Sequence, residues 1–316
     1  MATSERDVFK TSDSGEWVRE TASLREWVTA DGSSGFDAEP GRYHLYVCAA
    51  CPWAHRAIIV RRLKGLGEAV SMSLVDPYRD EEGWAFRERN GGQADPVNGF
   101  SLLSEAYAAT DASYDGRFNV PVLWDRETNR IVNNESADII VMLNSAWDDF
   151  AENPELDLYP AELRDEMDAL NQGVYERVNN GVYRAGFAGS QDAYEAAVGP
   201  LFDELDSLER RLADRRFLFG DSYTLADWRL LTTLVRFDAV YYVHFKCNVW
   251  RIVDYPNLWD YTRDLLSAPG IRATLDIDQI KLHYYTTHPQ INPTRFVPVG
   301  PTLDWDAPQD RALLIG

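Results

Sequence analysis

Cys51 stands in a sequence setting that favours reactivity. The segment Cys51-Pro52-Trp53-Ala54 lies between a strand-like run and a helix-like run. Proline prefers the first position of a helix, so the sulfur is expected at the helix N-terminus. The N–H groups and the dipole of that terminus stabilise a thiolate and lower the pKa of the thiol. We therefore predict that Cys51 is a nucleophile. Because Ala54 stands where a resolving cysteine would be expected, an external thiol would have to complete the reaction cycle.

Two neighbours of Cys51 allow other interpretations. Cys48 and His55 complete a C-x2-C-x3-H pattern, but zinc usually takes about four ligands and no second pair is evident, so no metal is expected. A Cys48–Cys51 redox pair is an alternative. The favoured interpretation of Cys48 is a small core residue, because Ala49-Ala50 need not aim its side chain at Cys51. His55 lies one helical turn beyond Cys51 and could act as its base, although the helix terminus already supplies activation.

Two further motifs suit a thiol that carries a γ-glutamyl group. Pro121 follows Val120 directly before a predicted strand. In a thioredoxin-like domain, a cis-proline at this place leaves the preceding backbone available to pair with an extended peptide thiol. Glu135 and Ser136 begin a predicted helix, where Ser136 and the helix terminus can bind a carboxylate and Glu135 can bind an ammonium group. Together with Cys51, these motifs predict a receptor for a γ-glutamyl thiol.

The elements that must position these residues form one α/β domain, predicted over residues 41–153. Apolar periodicity and turn residues predict a β-α-β unit with parallel strands, then an irregular insertion, a hairpin, and a helix with Ser136 as its N-cap. In chain order these cover 43–48 (strand), 52–66 (helix), 69–75 (strand), 76–117 (insertion), 119–124 with 130–133 (hairpin) and 135–143 (helix).

The two ends of the chain read as extensions of a folded body. Residues 1–40 are polar and rich in Ser, Asp and Gly, and Trp17, Leu24 and Trp27 are the side chains expected to anchor them. Residues 291–316 are predicted to form an extended tail, because their first part is rich in proline.

Residues 154–290 are predicted to form an all-helical domain. Thr224 and Asp227 have the spacing of a capping box, in which Thr224 receives a backbone N–H and Asp227 reaches back to the start of the helix. The helical patterns cover 162–180, 191–214, 225–243 and 257–267.

The charge balance excludes some partners. The sequence holds 51 acidic and 31 basic side chains, giving a formal net charge of -20, which disfavours nucleic acid and anionic membranes. No apolar run is long enough for a signal peptide or a membrane helix, and three cysteines are too few for a disulfide framework, so a cytoplasmic protein is expected. The excess of Asp over Glu and the scarcity of Lys fit a halophilic source, where salt screens self-repulsion.

Together with several longer segments, these motifs resemble the glutathione transferases, and more narrowly the glutathionyl-hydroquinone reductases, or xi class. The resemblance runs from about Trp17 to Gly300 and is carried by ACPWAHR, NVPVLWD, NNESADI, NNGVYRAGFA, ADWRLLTTLVRFDAVYYVHFKCN and INPTRFVPVGP. It implies a thioredoxin-like domain followed by a helical domain, and a homodimer. One departure is Cys48, where the family more often has serine.

The resemblance also implies a reaction. Cys51 would attack the sulfur of a glutathionyl-hydroquinone, the quinol would leave, and a second glutathione would release the enzyme from the mixed disulfide. Tyr183 would give a proton to the leaving ring carbon, and Tyr241 and Tyr284 would lie near the sulfur. Phenol hydroxyls suit these tasks because they donate to a thiolate and to a quinol oxygen. The competing choices at the last two positions are Tyr242 and Tyr285.

The same resemblance implies how the thiol co-substrate would be held. Trp84, in the insertion, would pack over it, the Val120 backbone would pair with its cysteinyl part, and Glu135 with Ser136 would hold its γ-glutamyl group. The stretch that would contact it consists of Arg117, Phe118, Asn119 and Val120. This receptor suits glutathione and also γ-glutamylcysteine, the alternative if the source is a haloarchaeon.

The alternative functions are a transferase that conjugates glutathione to electrophiles and a non-catalytic, transferase-like interaction module.

Overall fold

The structure, a computed structural model, describes residues 10–314. These residues form two compact units. The first unit contains Glu20–Asp157 and Ala273–Thr287, and the second contains Leu158–Arg272 with the flanking stretches 10–19 and 288–314. Residues 1–9 of the predicted extension and the last two residues of the predicted tail lie outside the described residues.

The regular elements follow one another as the sequence patterns indicate for most of the chain. In chain order they are β1 (Tyr43–Val47), α1 (Pro52–Leu63), β2 (Val70–Leu74), α2 (Leu103–Thr110), β3 (Val122–Asp125), β4 (Arg130–Asn133), α3 (Ser136–Ser145), α4 (Arg164–Val174), α5 (Gly181–Gly186), α6 (Gln191–Arg211), α7 (Leu225–Arg236), α8 (Pro256–Leu266) and α9 (Ile277–Thr287). No helix within residues 10–314 is both long enough and apolar enough to cross a bilayer.

The first unit is built on a sheet in which β1 is a central strand. The strand order is β2-β1-β3-β4; β1 pairs with β2 in parallel, and the β1–β3 and β3–β4 pairs are antiparallel. The predicted β-α-β unit and the predicted hairpin are therefore present. All five residues of β1 are buried, which explains why its sequence is nearly continuous in apolar side chains rather than alternating.

Helix α1 has sharply defined ends. Cys51 is its N-cap, with extended backbone angles, and Pro52 is its first residue. At the other end Gly65 has a φ of +66°, a conformation that costs glycine little. The Gly65 N–H donates to the Arg62 carbonyl, and the Leu66 N–H donates to the Arg61 carbonyl. These two hydrogen bonds form a Schellman motif. The predicted helix therefore stops at Leu63 instead of continuing to residue 66.

The predicted irregular insertion, residues 76–117, contains helix α2 and is corrected accordingly. The Glu105 carboxylate accepts the backbone N–H groups of Ser101 and Leu102 at 2.9 and 2.8 Å, which caps the start of this helix. The helix was missed because Leu102 offers no polar side chain at the N-cap position, and the capping group comes from inside the helix.

The second unit is helical, as predicted, but two of its long helices change character near their ends. Residues Tyr175–Asn179 follow α4 as a π-helical turn, and Phe237–Tyr241 do the same after α7. Asp227 reaches back to the Thr224 N–H at 2.7 Å, as the capping box requires. The Thr224 hydroxyl donates to the same carboxylate at 2.9 Å.

The N-terminal stretch from residue 10 has only isolated bridges instead of strands or helices. Trp17 is buried, whereas Trp27 is 39% exposed and its neighbour Val28 is buried. The Val28 N–H lies 3.1 Å from the Met142 sulfur. The prediction of Trp27 as an anchor is thus wrong, because adjacent side chains of an extended chain point to opposite sides and Val28 occupies the inward one.

Candidate active site

Cys51 sits where a strand passes into a helix. It is 8% exposed, and its Sγ lies 3.6 Å from the Val120 carbonyl oxygen. The Val120–Pro121 peptide bond is cis. Val120 immediately precedes the stretch that leads into β3, whose ladder with β1 begins at Val122. The sequence motifs around Cys51 and Val120, about seventy positions apart in the chain, are therefore adjacent in the fold, because β1 and β3 are neighbouring strands.

His55, the alternative base for Cys51, has a different partner. Its ring is fully buried, and Nε2 lies 2.8 Å from the Thr274 hydroxyl. Thr274 belongs to the 273–287 segment of the first unit. This bond joins α1 to a part of the chain more than two hundred residues later. The imidazole therefore has a structural task in the described fold.

The stretch from Arg117 to Asn119 is held by two tyrosines that the sequence analysis did not single out. The Tyr107 hydroxyl donates to the Asn119 carbonyl at 2.8 Å and accepts the Asn119 N–H at 3.0 Å. The Tyr114 hydroxyl donates to the Arg117 carbonyl at 3.1 Å. Phe118 packs against both rings, with centroid distances of 5.3 Å to Tyr107 and 6.0 Å to Tyr114. Tyr107 of helix α2 and Tyr114 of the turn after it therefore fix the conformation of the segment next to Cys51.

Asn134 completes the same cluster. Its side-chain amide donates to the Tyr107 hydroxyl at 3.1 Å. Burial raises the pKa of Tyr107, the Asn134 bond opposing this only in part, so the phenol stays protonated at neutral pH. No local signal marks Tyr107 or Asn134, because the groups they bond are far from them in sequence.

Glu135 and Ser136 lie at the N-terminus of α3, but their roles in the helix differ from the predicted ones. The N-cap is Glu135, not Ser136: the Glu135 carboxylate accepts the Ala137 N–H at 3.0 Å. The Asn133 side chain accepts the Glu135 N–H at 2.7 Å and so sets the entry of the chain into the helix. Ser136 is the first helical residue, and its hydroxyl donates to Glu135 at 3.3 Å.

A buried cation accompanies this helix terminus. The Arg56 side chain is 1% exposed, and its Nη1 lies 3.5 Å from the Ser136 hydroxyl. The guanidinium also lies over the Trp53 ring, 4.5 Å from the ring centroid. Arg56 was not predicted as a site residue. It places a positive charge where the helix dipole is already positive, and the sum favours an anion.

Trp84 and Tyr284 are both buried parts of the first unit and meet through His283. The Trp84 ring stacks on His283 at 5.1 Å with 17° between the planes, and the Tyr284 ring meets His283 edge-on at 5.2 Å. His283 Nδ1 lies 2.7 Å from the Pro77 carbonyl oxygen. Tyr285 is buried as well, and burial raises its pKa to about 12. Burial alone does not distinguish Tyr284 from Tyr285.

Tyr183 and Tyr241 meet inside the second unit. Their hydroxyl oxygens are 3.5 Å apart, Tyr183 is half-buried and Tyr241 is fully buried. Trp17 stacks on Tyr183 at 5.8 Å, and Phe245 stacks on Tyr241 at 5.5 Å. Tyr241 ends a π-helical turn, a feature often found at functional sites. Tyr241 is thus the member of the Tyr241–Tyr242 pair that contacts Tyr183.

The predicted site residues therefore divide between the two units, each of which is described by itself. The first unit holds Cys51, Trp84, the 117–120 stretch, Glu135, Ser136 and Tyr284, and the second holds Tyr183 and Tyr241. Within residues 10–314, no group of three or more His, Cys, Asp or Glu side chains is arranged to hold a metal ion.

Comparison with known proteins gives the family. The glutathione S-transferase N-terminal domain matches residues 50–146, and the glutathione S-transferase C-terminal domain matches residues 191–264. A solved Xi-class structure from Natrialba magadii is 48% identical, with a TM-score of 0.91 over 96% of this chain and 96% of that chain. This chain belongs to the xi-class glutathione transferases. The membership confirms the predicted fold class, a thioredoxin-like domain followed by a helical domain.

Other relatives carry descriptions that refer to glutathione chemistry. The glutathionyl-hydroquinone reductase PcpF of Sphingobium chlorophenolicum is 51% identical over 290 residues, which cover 92% of this chain and 91% of PcpF. The glutathione-bound structure of the transferase homologue YqjG from Escherichia coli K-12 is 48% identical, with a TM-score of 0.89 over 91% of this chain and 96% of that chain.

Proposed function

We propose that this xi-class chain is a glutathione-dependent reductase that removes the glutathionyl group from glutathionyl-hydroquinones through a mixed disulfide on Cys51. The observation that carries the proposal is the position of Cys51 as the N-cap of α1, with its sulfur 3.6 Å from the carbonyl of Val120. The likeness to PcpF supports the same reaction class. A transferase that conjugates glutathione would instead need a hydroxyl at the reactive position to activate the thiol.

The proposed reaction balances as a thiol–thioether exchange. The Cys51 thiolate attacks the glutathionyl sulfur, the bond between that sulfur and the quinol ring breaks, and its electron pair stays with the ring carbon, which takes a proton. The sulfur pair is oxidised to a mixed disulfide and the ring is reduced. A second glutathione then attacks the glutathionyl sulfur, which releases glutathione disulfide and restores Cys51.

The proton for the ring carbon is assigned to Tyr183. Its closeness to Tyr241, at 3.5 Å between hydroxyls, supports this assignment, because a neighbouring hydroxyl can stabilise the phenolate that forms when the proton leaves. Tyr241 and Tyr284 are assigned to hydrogen bonds with the quinol oxygens or the thiolate.

The thiol co-substrate is assigned to the first unit. The γ-glutamyl carboxylate would bind at the N-terminus of α3 near Ser136, where Arg56 adds positive charge. The ammonium group would bind the Glu135 carboxylate, whose second oxygen remains available as an acceptor site when the first caps the helix. The cysteinyl part of the co-substrate would pair with the Val120 backbone. The Arg117–Asn119 segment would contact the rest of the co-substrate's backbone, and the Trp84 ring would pack over the co-substrate.

We also propose that the protein works in a cytoplasm of high salt. The net charge of -20 and the presence of only four lysines support a cytoplasm of high salt. Both glutathione and γ-glutamylcysteine carry the γ-glutamyl group that the α3 terminus would hold, so either can serve as releasing thiol.

A homodimer is the expected assembly, and sedimentation velocity measures it.

The direct test is intact mass spectrometry after mixing the protein with glutathionyl-menadiol. Release of the free quinol is expected, with a gain of one glutathionyl group on Cys51 in samples quenched immediately after mixing. The Cys51→Ser variant should give neither product. Cys247→Ala is the matched control, because burial raises the pKa of the Cys247 thiol and keeps it protonated. Quinol release by Cys51→Ser at the wild-type rate would disprove the mechanism.

A further inference from the structure

Cys48 and Cys51 are the two ends of one tight turn. The Cys51 N–H donates to the Cys48 carbonyl at 3.1 Å, and Ala49 and Ala50 form the turn between them. In such a four-residue turn the first and last Cα atoms are less than about 7 Å apart. Disulfide bonds join cysteines whose Cα atoms are roughly 4.4–6.8 Å apart. The turn thus keeps the two Cα atoms within about the distance that a disulfide spans, which the sequence alone did not establish.

Both ends of this turn are fixed by regular structure. Cys48 follows the last residue of β1, Val47, whose carbonyl accepts the Val75 N–H at 2.9 Å. Cys51 is the N-cap of α1, and its carbonyl accepts the His55 N–H at 3.0 Å. The end of β1 and the start of α1 therefore set the distance between the two cysteines.

The two thiols differ in access to solvent. Cys48 is fully buried, whereas Cys51 is 8% exposed. A glutathione-sized reagent therefore meets Cys51 first. The turn holds the buried Cys48 at a high effective concentration relative to any group that Cys51 carries.

We propose that Cys48 is a resolving thiol for Cys51. This inference rests on the proposed function, since it concerns the glutathionyl adduct that the function places on Cys51. The Cys48 thiol attacks the Cys51 sulfur of that adduct, the bond to the glutathionyl sulfur breaks, and glutathione leaves with the proton. The pair becomes a Cys48–Cys51 disulfide. Two further glutathione molecules reduce it, giving glutathione disulfide and the two original thiols.

Glutathione disulfide is the probe that tests this step apart from the quinol chemistry. The wild-type protein, treated with excess probe, quenched with acid and mapped by peptide mass spectrometry, should show a Cys48–Cys51 linkage, with a loss of two hydrogens from the intact mass. Cys48→Ser should instead retain one glutathionyl group on Cys51. Cys51→Ser should form neither product, and Cys247→Ala should behave as the wild type.

A stable glutathionyl adduct in the wild-type protein, with no Cys48–Cys51 linkage, would overturn the inference. If Cys48→Ser does not fold, Cys48→Ala is used, and the linkage in the wild-type peptide map decides alone. Failure of this inference is distinct from failure of the proposed function. A lasting adduct from glutathionyl-menadiol without the linkage removes only the resolving role, whereas the absence of both the adduct and the linkage with either reagent removes both.

Discussion

The hydroxyl of Tyr107 holds Asn119 by both polar groups of its backbone, donating to the carbonyl at 2.8 Å and accepting the N–H at 3.0 Å. Tyr107 lies on α2 and Asn119 leads into the Val120–Pro121 turn beside Cys51. One buried phenol therefore sets the conformation of the segment proposed to contact the thiol co-substrate.

Replacing Tyr107 by phenylalanine should loosen this segment. The change leaves Asn119 and the Asn134 amide without their buried partner, which costs about 1–3 kcal/mol of unfolding free energy. We expect KM for glutathione to rise about tenfold with little change in kcat, because an effect of about 1.4 kcal/mol would fall on binding. Tyr114→Phe, which loses one bond to the Arg117 carbonyl and one from the exposed Ser23 hydroxyl, is the control and should change KM less, because the Asn119 backbone keeps its bonds to Tyr107. A less stable variant with unchanged KM would remove the 117–120 stretch from the binding site.

Replacing Tyr183 by phenylalanine should slow the first chemical step by about 10²-fold, the usual order for a lost general acid. The measurement is hydroquinone release in a single turnover with excess enzyme. Tyr242→Phe is the control, since Tyr242 is a half-buried neighbour of Tyr241 and should release quinol at nearly the wild-type rate. Alkylation of Cys51 should be equally fast in all three proteins. An unchanged single-turnover rate would assign Tyr183 to packing against Trp17 and Phe245.

The stability of the first unit should depend on pH through His44. Its ring nitrogens lie 2.7 Å from the Ser71 hydroxyl and 2.8 Å from the Ser73 hydroxyl. Burial, reinforced by the charge of Arg126, lowers the pKa of His44 to about 4, against 6.5 in an unfolded chain. Between pH 4 and pH 6.5, His44 binds a proton in the unfolded chain but stays neutral in the folded protein. The unfolding free energy should therefore fall as pH falls from 6.5 towards 4, by about 2 kcal/mol between pH 7 and pH 5.

Urea unfolding at several pH values, with and without His44→Gln, measures this contribution. The amide of glutamine can still bond the two serine hydroxyls but does not titrate in this range. His244, whose pKa burial also lowers to about 4, is present in both proteins and cancels in the comparison. Equal pH slopes for the two proteins would show that the pKa of His44 is the same in the folded and unfolded chains.

Removing the Arg311 side chain should destabilise the second unit strongly. The guanidinium is buried and donates to the carbonyls of Leu212 at 2.9 Å and Arg216 at 3.1 Å, and also to that of Arg215. These carbonyls follow the C-terminal end of α6. Arg311→Ala should lower the unfolding free energy by about 3 kcal/mol or more, because the carbonyls stay buried without their donor.

The control for Arg311 is Arg215→Ala. The Arg215 side chain pairs at 3.1 Å with Asp214, and both are exposed. Its loss removes the same charge from the same region but should cost no more than about 1 kcal/mol. Similar losses for the two variants would mean that net charge, and not the buried hydrogen bonds, sets the stability here.

The sequence by itself determined the local structure around Cys51. Pro52 fixes the first residue of α1, because its ring presets the helical φ and its missing N–H needs no partner there. Apolar periodicity determined the β-α-β unit, the hairpin and most helices of the second unit, and the motifs shared with a known family determined the fold class. The secondary structure depends on residues a few positions apart, and the fold class depends on motifs that the family shares.

Tertiary structure alone decided which distant groups meet. Nothing near Tyr107 indicates that its hydroxyl bonds Asn119, and nothing near His55 indicates Thr274, more than two hundred residues away. The same holds for α9, which the sequence assigned to the helical domain 154–290 and which belongs to the first unit. The physical reason is that buried polar groups must find hydrogen-bond partners wherever the packed chain offers them, and local periodicity does not encode that choice.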